Sequence, residues 1–239
     1  MLIYGINPVL EALRAGRVKS LRVSERAAGR VADVVTQAER AGVSVRRVQA
    51  SELERASRGG VHQGVVAEIE DSARFDVADL VSGAPGVPLL VVLDGVEDPH
   101  NVGAILRTVD AAGADGVIRQ SRHAAALDGA AAKASAGAVS HVKVADVVNI
   151  ARAIEELKEA GVWTVGLAGD APRRYDEVDL TMSTALVVGA EGDGMRRLVR
   201  ERCDWLVSIP MGGHVQSLNV SVATGIVLFE ALRQRRASK

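Results

Sequence analysis

Six apolar runs in the last two thirds of the chain constrain its fold most: LLVVLD from Leu89, GVIRQ from Gly116, HVKVA from His141, VWTVGLA from Val162, ALVVGA from Ala185 and WLVSIP from Trp205. Most lack the polar alternation of a strand with one wet face. Helical stretches such as ARAIEELKEAG separate them. Near-continuous Val/Leu/Ile strands between helices imply an α/β fold with a parallel sheet covered on both faces. In such sheets ligands sit beyond the carboxyl ends of the strands. Three strand-to-helix transitions of unusual composition fall on that one edge.

The richest of these is Ile209 to Phe229, IPMGGHVQSLNVSVATGIVLF. Pro210 ends its strand, because a residue without an N–H cannot continue a ladder, and Gly212 and Gly213 let backbone lie close to a ligand. Ser217 and Asn219 are both candidate N-caps for the helix that follows. A capped βα turn accounts for the glycines and the caps. It leaves unexplained the uncharged SLNVS run beside His214 and Gln216. In the first transition, DGVEDPHNVGAILRT, Asn101 is the expected N-cap, and Arg107 shares a helical face with Gly103. An ordinary surface arginine paired to Glu97 or Asp110 is the alternative. The second, VVGAEGDGM, reads G-x-x-G-x-G rather than the dinucleotide G-x-G-x-x-G and lacks a P-loop lysine. Glu191 could anchor this turn or accept from a ligand donor.

Ahead of the sheet, Met1 to Glu70 reads as a small α/β module: helix VLEALRAG, strand Lys19–Ser24, helix Arg30–Gly42, strand VSVRRV, a short helix opened by Ser51 with capping-box spacing to Glu54, and strand GVVAEIE. Residues 71–88, rich in Ser, Gly and Pro, read as a linker, leaving 89–239 as the second domain. The net charge of −1 argues against bulk electrostatic binding of nucleic acid. Residues 1–70 nonetheless hold eleven Lys or Arg against eight Asp or Glu, a net +3. Arg14, Arg17, Lys19, Arg22, Arg46 and Arg47 are the candidates for a phosphate-binding face, although any one of them could be simple solvated surface. Aromatics at 3% are too few for a base-stacking platform.

One cysteine excludes a disulfide framework and a Cys-rich metal site, and no metal is expected. Cys203 reads as packing. No signal-peptide pattern opens the chain, and no apolar run approaches the roughly 20 residues of a membrane span. A soluble, cytoplasmic protein is the expectation.

NVGAILRT, VVGAEGDGM and IPMGGHVQSLNVSVATGIVLFE, in this order and spacing, resemble the three motifs of the SpoU (TrmH) family of RNA ribose methyltransferases, part of the SPOUT superfamily. The resemblance covers Leu89 to Arg236 densely. It implies a parallel-sheet domain with a deep trefoil knot, an exception to the rule that chains are unknotted. The knot would hold S-adenosylmethionine. Gly189, Ile209 and Leu218 would contact the donor mainly through backbone, Glu191, Ser217 and Asn219 would shape its pocket, and Asn101 and Arg107 would face the ribose. Met1 to Glu70, including YGINPVLEAL and the HQG before the last strand, resembles more loosely the ribosomal-protein-like substrate-binding domain of the rRNA members. That implies a guanosine ribose in large-subunit (23S) rRNA, or in an assembly intermediate, as the target. A tRNA enzyme, an antibiotic-resistance rRNA methyltransferase and a non-catalytic RNA-binding relative are the alternatives.

The implied chemistry is attack of a ribose 2′-hydroxyl on a sulfonium methyl group, which needs alignment and a proton acceptor. A guanidinium has no acceptor atom, so Arg107 is better suited to a flanking phosphate and the developing oxyanion. The acceptor stays open between Glu191 and His214. Val220, Val222, Ala223, Ile226, Val227, Leu228, Phe229 and Leu232 cannot all face one sheet, so a second surface must cover part of the terminal helix. The resemblance implies a homodimer through that helix.

Overall fold

A computed structural model describes residues 1–26, 28–70, 75–122 and 126–238. They form two compact units, one built from residues 1–70 together with 102–107 and 126–141, the other from 75–101, 108–122 and 142–238.

In the first unit β1 (Leu2–Tyr4), α1 (Ile6–Arg14), β2 (Val18–Ser24), α2 (Arg30–Arg40), β3 (Ser44–Val48), α3 (Ala50–Ser57) and β4 (Val65–Ile69) follow one another. The sheet order is β1-β4-β2-β3, with β4 antiparallel to both neighbours and β2 parallel to β3 across the α2 crossover. Two helix starts differ from expectation. The first helix opens at Ile6, ahead of Pro8, because Gly5 turns the chain at φ 96 and Gln63 Oε1 accepts from Ile6 N at 3.0 Å. Such a cap comes from far along the chain, so no local pattern encodes it. The capping box expected at Ser51 does not form: α3 starts two residues earlier, after Gln49, without a side-chain cap.

The second sheet is assembled from the chain that runs through α4 (Val77–Ser82), β5 (Leu89–Asp94), α5 (Pro99–Ala112), β6 (Gly116–Gln120), α6 (Gly129–Ala134), β7 (Val144–Val147), α7 (Ile150–Glu159), β8 (Trp163–Leu167), β9 (Arg173–Arg174), β10 (Thr184–Gly189), α8 (Arg197–Arg202), β11 (Trp205–Ser208) and α9 (Val220–Ala237). Its order is β7-β6-β5-β10-β8-β11-β9 and every pairing is parallel. All six residues of β5 and all six of β10 are buried, as expected of central strands covered on both faces. Leu90, Val92, Ile118, Ala185 and Val187 meet Ile150, Ile154 and Leu157 of α7 in one core. On β10 packs α9.

The stretch expected as a linker is partly structured. Residues 71–74 lie outside the described residues, but 77–82 form a helix. Asp76 accepts from Asp79 N at 2.8 Å while Asp79 accepts from Asp76 N at 2.9 Å. Val77 and Leu80 are buried in the core. An Asp in the position where a capping box normally carries Glu or Gln hid this cap in the sequence.

Residues 102–107 and 126–141 pack with the first unit rather than with the strands beside them in sequence. Glycines permit close contacts within this unit. A Cβ on Gly103 would lie 2.5 Å from Ala134 Cβ and 2.6 Å from Ala131 O, so only glycine lets α5 and α6 approach so closely. Glu11 packs over Gly137, at φ 100, in the same way.

Candidate functional site

The carboxyl ends of β8, β10 and β11 open into a cleft of about 480 Å³, within the range of sites for small organic ligands. Leu167, Val188, Met195, Val207, Ile209 and Leu218 give it an apolar wall. Glu191, Gln216, Ser217 and Asn219 give it a polar edge. Gly189 also lines it, so six of the eight expected catalytic and donor-binding residues share one cleft. His214 does not line it and is exposed in the loop after β11.

Gly189 is required by its own loop. A Cβ there would stand 2.0 Å from Gly194 C and 2.1 Å from Met195 N. The loop folds back on itself, Ala190 N donating to Gly194 O at 3.1 Å and Gly194 N to Ala190 O at 3.0 Å. Beneath it Asp94, 1% exposed at the end of β5, accepts from Arg196 N and Arg196 Nε, each at 2.7 Å. This carboxylate ties the loop's far end to the sheet. Sequence reasoning overlooked it, although an acidic residue closing an otherwise apolar strand was the available signal.

Asn101 is not an N-cap. Asp98 caps α5, accepting from His100 N at 2.9 Å, and Pro99 takes the first helical position, which needs no N–H donor. That frees the Asn101 amide, which is buried. It donates through Nδ2 to Glu191 Oε2 at 3.1 Å and accepts at Oδ1 from Asn219 Nδ2 at 2.8 Å. Asn219, not Ser217, caps α9, its Oδ1 accepting from Ser221 N at 2.9 Å and Ser221 Oγ at 2.6 Å. The three sequence segments are therefore stitched by one line of hydrogen bonds. Arg107 lies outside this line. It is exposed on α5 and makes no ion pair with Glu97 or Asp110.

A charged pair no motif announced stands at the cleft: Arg200 Nη1 and Nη2 donate to Asp170 Oδ1 and Oδ2 at 2.8 and 2.9 Å. These bonds hold the Asp170 carboxyl below the usual range. Cys203, packed against the core beside α8, is a different case, since burial pushes its thiol up to about 12. At pH 8 its thiolate fraction is then about 10⁻⁴, against roughly a quarter for an ordinary thiol. Iodoacetamide should alkylate native protein about 10³-fold more slowly than the urea-unfolded chain. Mass spectrometry of timed aliquots checks this, and equal rates would contradict it.

The expected phosphate-binding residues are unequal. Arg14 pairs with Glu11, and Arg22 and Arg46 both face Glu52. Arg17 donates to the carbonyls of Glu70, Val139 and Ser140 and so acts as a structural tie. Lys19 and Arg47 are exposed and, among the described residues, have no such partner. Among the described residues, no group of three or more His, Cys, Asp or Glu side chains could hold a metal ion.

The profile described as the SpoU rRNA methylase family matches residues 88–229, more than half of the chain. The chain belongs to the SpoU rRNA methylase family. A second profile, for the substrate-binding domain of RNA 2′-O ribose methyltransferases, matches residues 2–74. Among SpoU relatives, the 23S rRNA (guanosine-2′-O-)-methyltransferase RlmB of Pseudomonas syringae pv. tomato is 47% identical over 243 residues, spanning 99% of this chain and 97% of that protein. The crystal structure of the SpoU methyltransferase AviRb from Streptomyces viridochromogenes in complex with AdoMet superposes with a TM-score of 0.82 at 27% identity, covering 99% of this chain and 91% of AviRb. The A. aeolicus TrmH/SpoU tRNA modifying enzyme gives 0.57 at 34% identity, over 68% of this chain and 83% of its own.

Proposed function

We propose that this SpoU protein transfers the methyl group of S-adenosylmethionine to the 2′-hydroxyl of a guanosine ribose in 23S rRNA. The observation that carries the reading is the cleft at the carboxyl ends of β8, β10 and β11, framed by the second and third motif loops and bonded to the first through Asn101. Its chemistry suits the donor. Among the described residues, Asp170, Glu191 and Asp193 line it against one cation, Arg200, a balance that favours a sulfonium and would repel a nucleoside polyphosphate. The apolar wall suits an adenine. When bound, the donor supplies an electrophilic methyl group; the chain's part is to hold it, exclude water and align the hydroxyl.

In this reading Gly189, Ile209, Leu218, Ser217, Asn219 and Glu191 hold the donor, and Arg107 steadies the RNA backbone and the developing oxyanion. Residues 1–70 form the RNA-binding domain and 89–239 the knotted catalytic domain. The knot is supported by the strand order, in which β10 lies between β5 and β8 while the chain continues to β11 beyond β8 and then back to β10 through α9. Large-subunit rRNA is favoured over tRNA because the RlmB relative spans almost the whole chain and the tRNA enzyme two thirds of it. Among the described residues no helix is long and apolar enough to cross a membrane, and we place the protein in the cytoplasm with the ribosome precursors.

Calorimetry with S-adenosylmethionine in the presence of chelator, followed by transfer of labelled methyl groups to 23S rRNA and mapping of the modified ribose, tests the assignment. Micromolar binding and one modified guanosine are expected. No binding at millimolar donor, or label in tRNA alone, would overturn it.

The homodimer belongs to the same reading. Val227, Leu228 and Ala231 of α9 are buried, while Val222 and Phe229, 51% and 48% exposed, stand on the opposite side. An exposed apolar stripe on a terminal helix fits an isologous contact, in which one substitution changes both halves. Phe229→Glu should give a folded monomer by sedimentation, with wild-type protein a dimer at micromolar concentration. A wild-type monomer would end this part of the reading.

A further inference from the structure

Asn101 is 7% exposed and does not line the cleft, whereas both side chains it bonds do. Its two hydrogen bonds leave it no freedom. A carboxylate can only accept, so the amide must turn its Nδ2 to Glu191. The N–H groups that open α9 can only donate, so Asn219 must turn its oxygen to Ser221 and its Nδ2 to Asn101. Donors and acceptors along Glu191, Asn101, Asn219 and Ser221 match only in this one polarity.

We propose that Asn101 is a positioning residue that locks the loop after β10 to the head of α9, so that Glu191 and Asn219 meet the methyl donor as one preorganised unit. It does not touch the ribose, which is the role the family resemblance implies for it. The inference rests on the reading of the cleft as the S-adenosylmethionine site. Glu191 follows one strand and Asn219 follows another, and the backbone bonds that close the first loop, Ala190 to Gly194, do not reach the second. Among the described residues, the only side-chain link between Glu191 and Asn219 runs through the Asn101 amide. Without it each loop would meet the donor separately, and ordering them would be drawn from binding.

A swap of polarity tests the bridge with donor affinity as the readout. Asn101→Asp keeps an acceptor for Asn219 but sets a carboxylate against Glu191, and should weaken S-adenosylmethionine binding about 30-fold, the range of a lost charge-assisted hydrogen bond. Glu191→Gln supplies a donor that complements the new carboxylate. In that background Asn101→Asp should cost less than about threefold, because directly bonded residues do not act additively. Calorimetry on the four full-length proteins measures the cycle, with thermal unfolding alongside. Should Asn101→Asp fail to fold alone, recovery of a cooperative transition in the Glu191→Gln background supports the bridge, and no recovery overturns it. Equal affinity losses in both backgrounds, or no loss in the first, would overturn the bridge while leaving the donor site standing. Wild-type protein that bound no donor would overturn both.

Discussion

Arg107→Ala should keep S-adenosylmethionine affinity within about twofold and lower methyl transfer about 10³-fold, the size of effect seen when a donor to a developing oxyanion is removed. The two halves of this expectation have separate grounds. Arg107 is not among the residues lining the cleft, so donor affinity has no reason to change. It is exposed on α5, and neither Glu97 nor Asp110 pairs with it, so its fork of donors is available to a phosphate and a reacting oxygen. Arg107→Lys should recover only part of the rate, because a point charge cannot make both contacts at once. Calorimetry for the donor and single-turnover transfer to 23S rRNA separate the two quantities. Equal loss of affinity and rate would mean that Arg107 belongs to the donor pocket.

The parallel sheet was legible because strands buried on both faces are apolar at nearly every position, as LLVVL and ALVVG are. Its strand order was not legible. Which parallel strands become neighbours depends on crossovers, and nothing in β10 itself states that it will lie between β5 and β8. Asn219 was readable as a cap because its partner, Ser221, is two residues away. Asn101 was misread for a related reason: Asp98 with Pro99 outcompeted it locally, and the bonds it does make reach loops about a hundred residues distant in sequence. Arg17 looked like a phosphate ligand and is held by three backbone carbonyls. Charge counts reveal a basic surface but not which members are already engaged. Likewise Leu167 to Asp170 entered the cleft unannounced, since the end of a strand becomes a wall only once its neighbours are placed.

Gly189→Ala should abolish donor binding more completely than any other single methyl group added to the cleft. The new Cβ would sit 2.0 Å from a backbone carbon of Gly194, a collision no rotamer can relieve. The turn would have to open, losing the paired bonds between Ala190 and Gly194 and carrying Glu191 away from Asn101. Affinity for S-adenosylmethionine should fall at least about 100-fold, since both the wall and the preorganised carboxylate are displaced. The sheet should survive with a thermal midpoint lower by about 5 °C, because the apolar part of β10 keeps its place between β5 and β8. Gly213→Ala is the matched control. A Cβ at Gly213 meets nothing within 4 Å, so affinity there should stay within about twofold of wild type. Calorimetry and thermal unfolding on the pair decide the matter. Were Gly189→Ala to bind the donor normally, the loop would be free to move aside, and its fit against Met195 would not be what shapes the cleft.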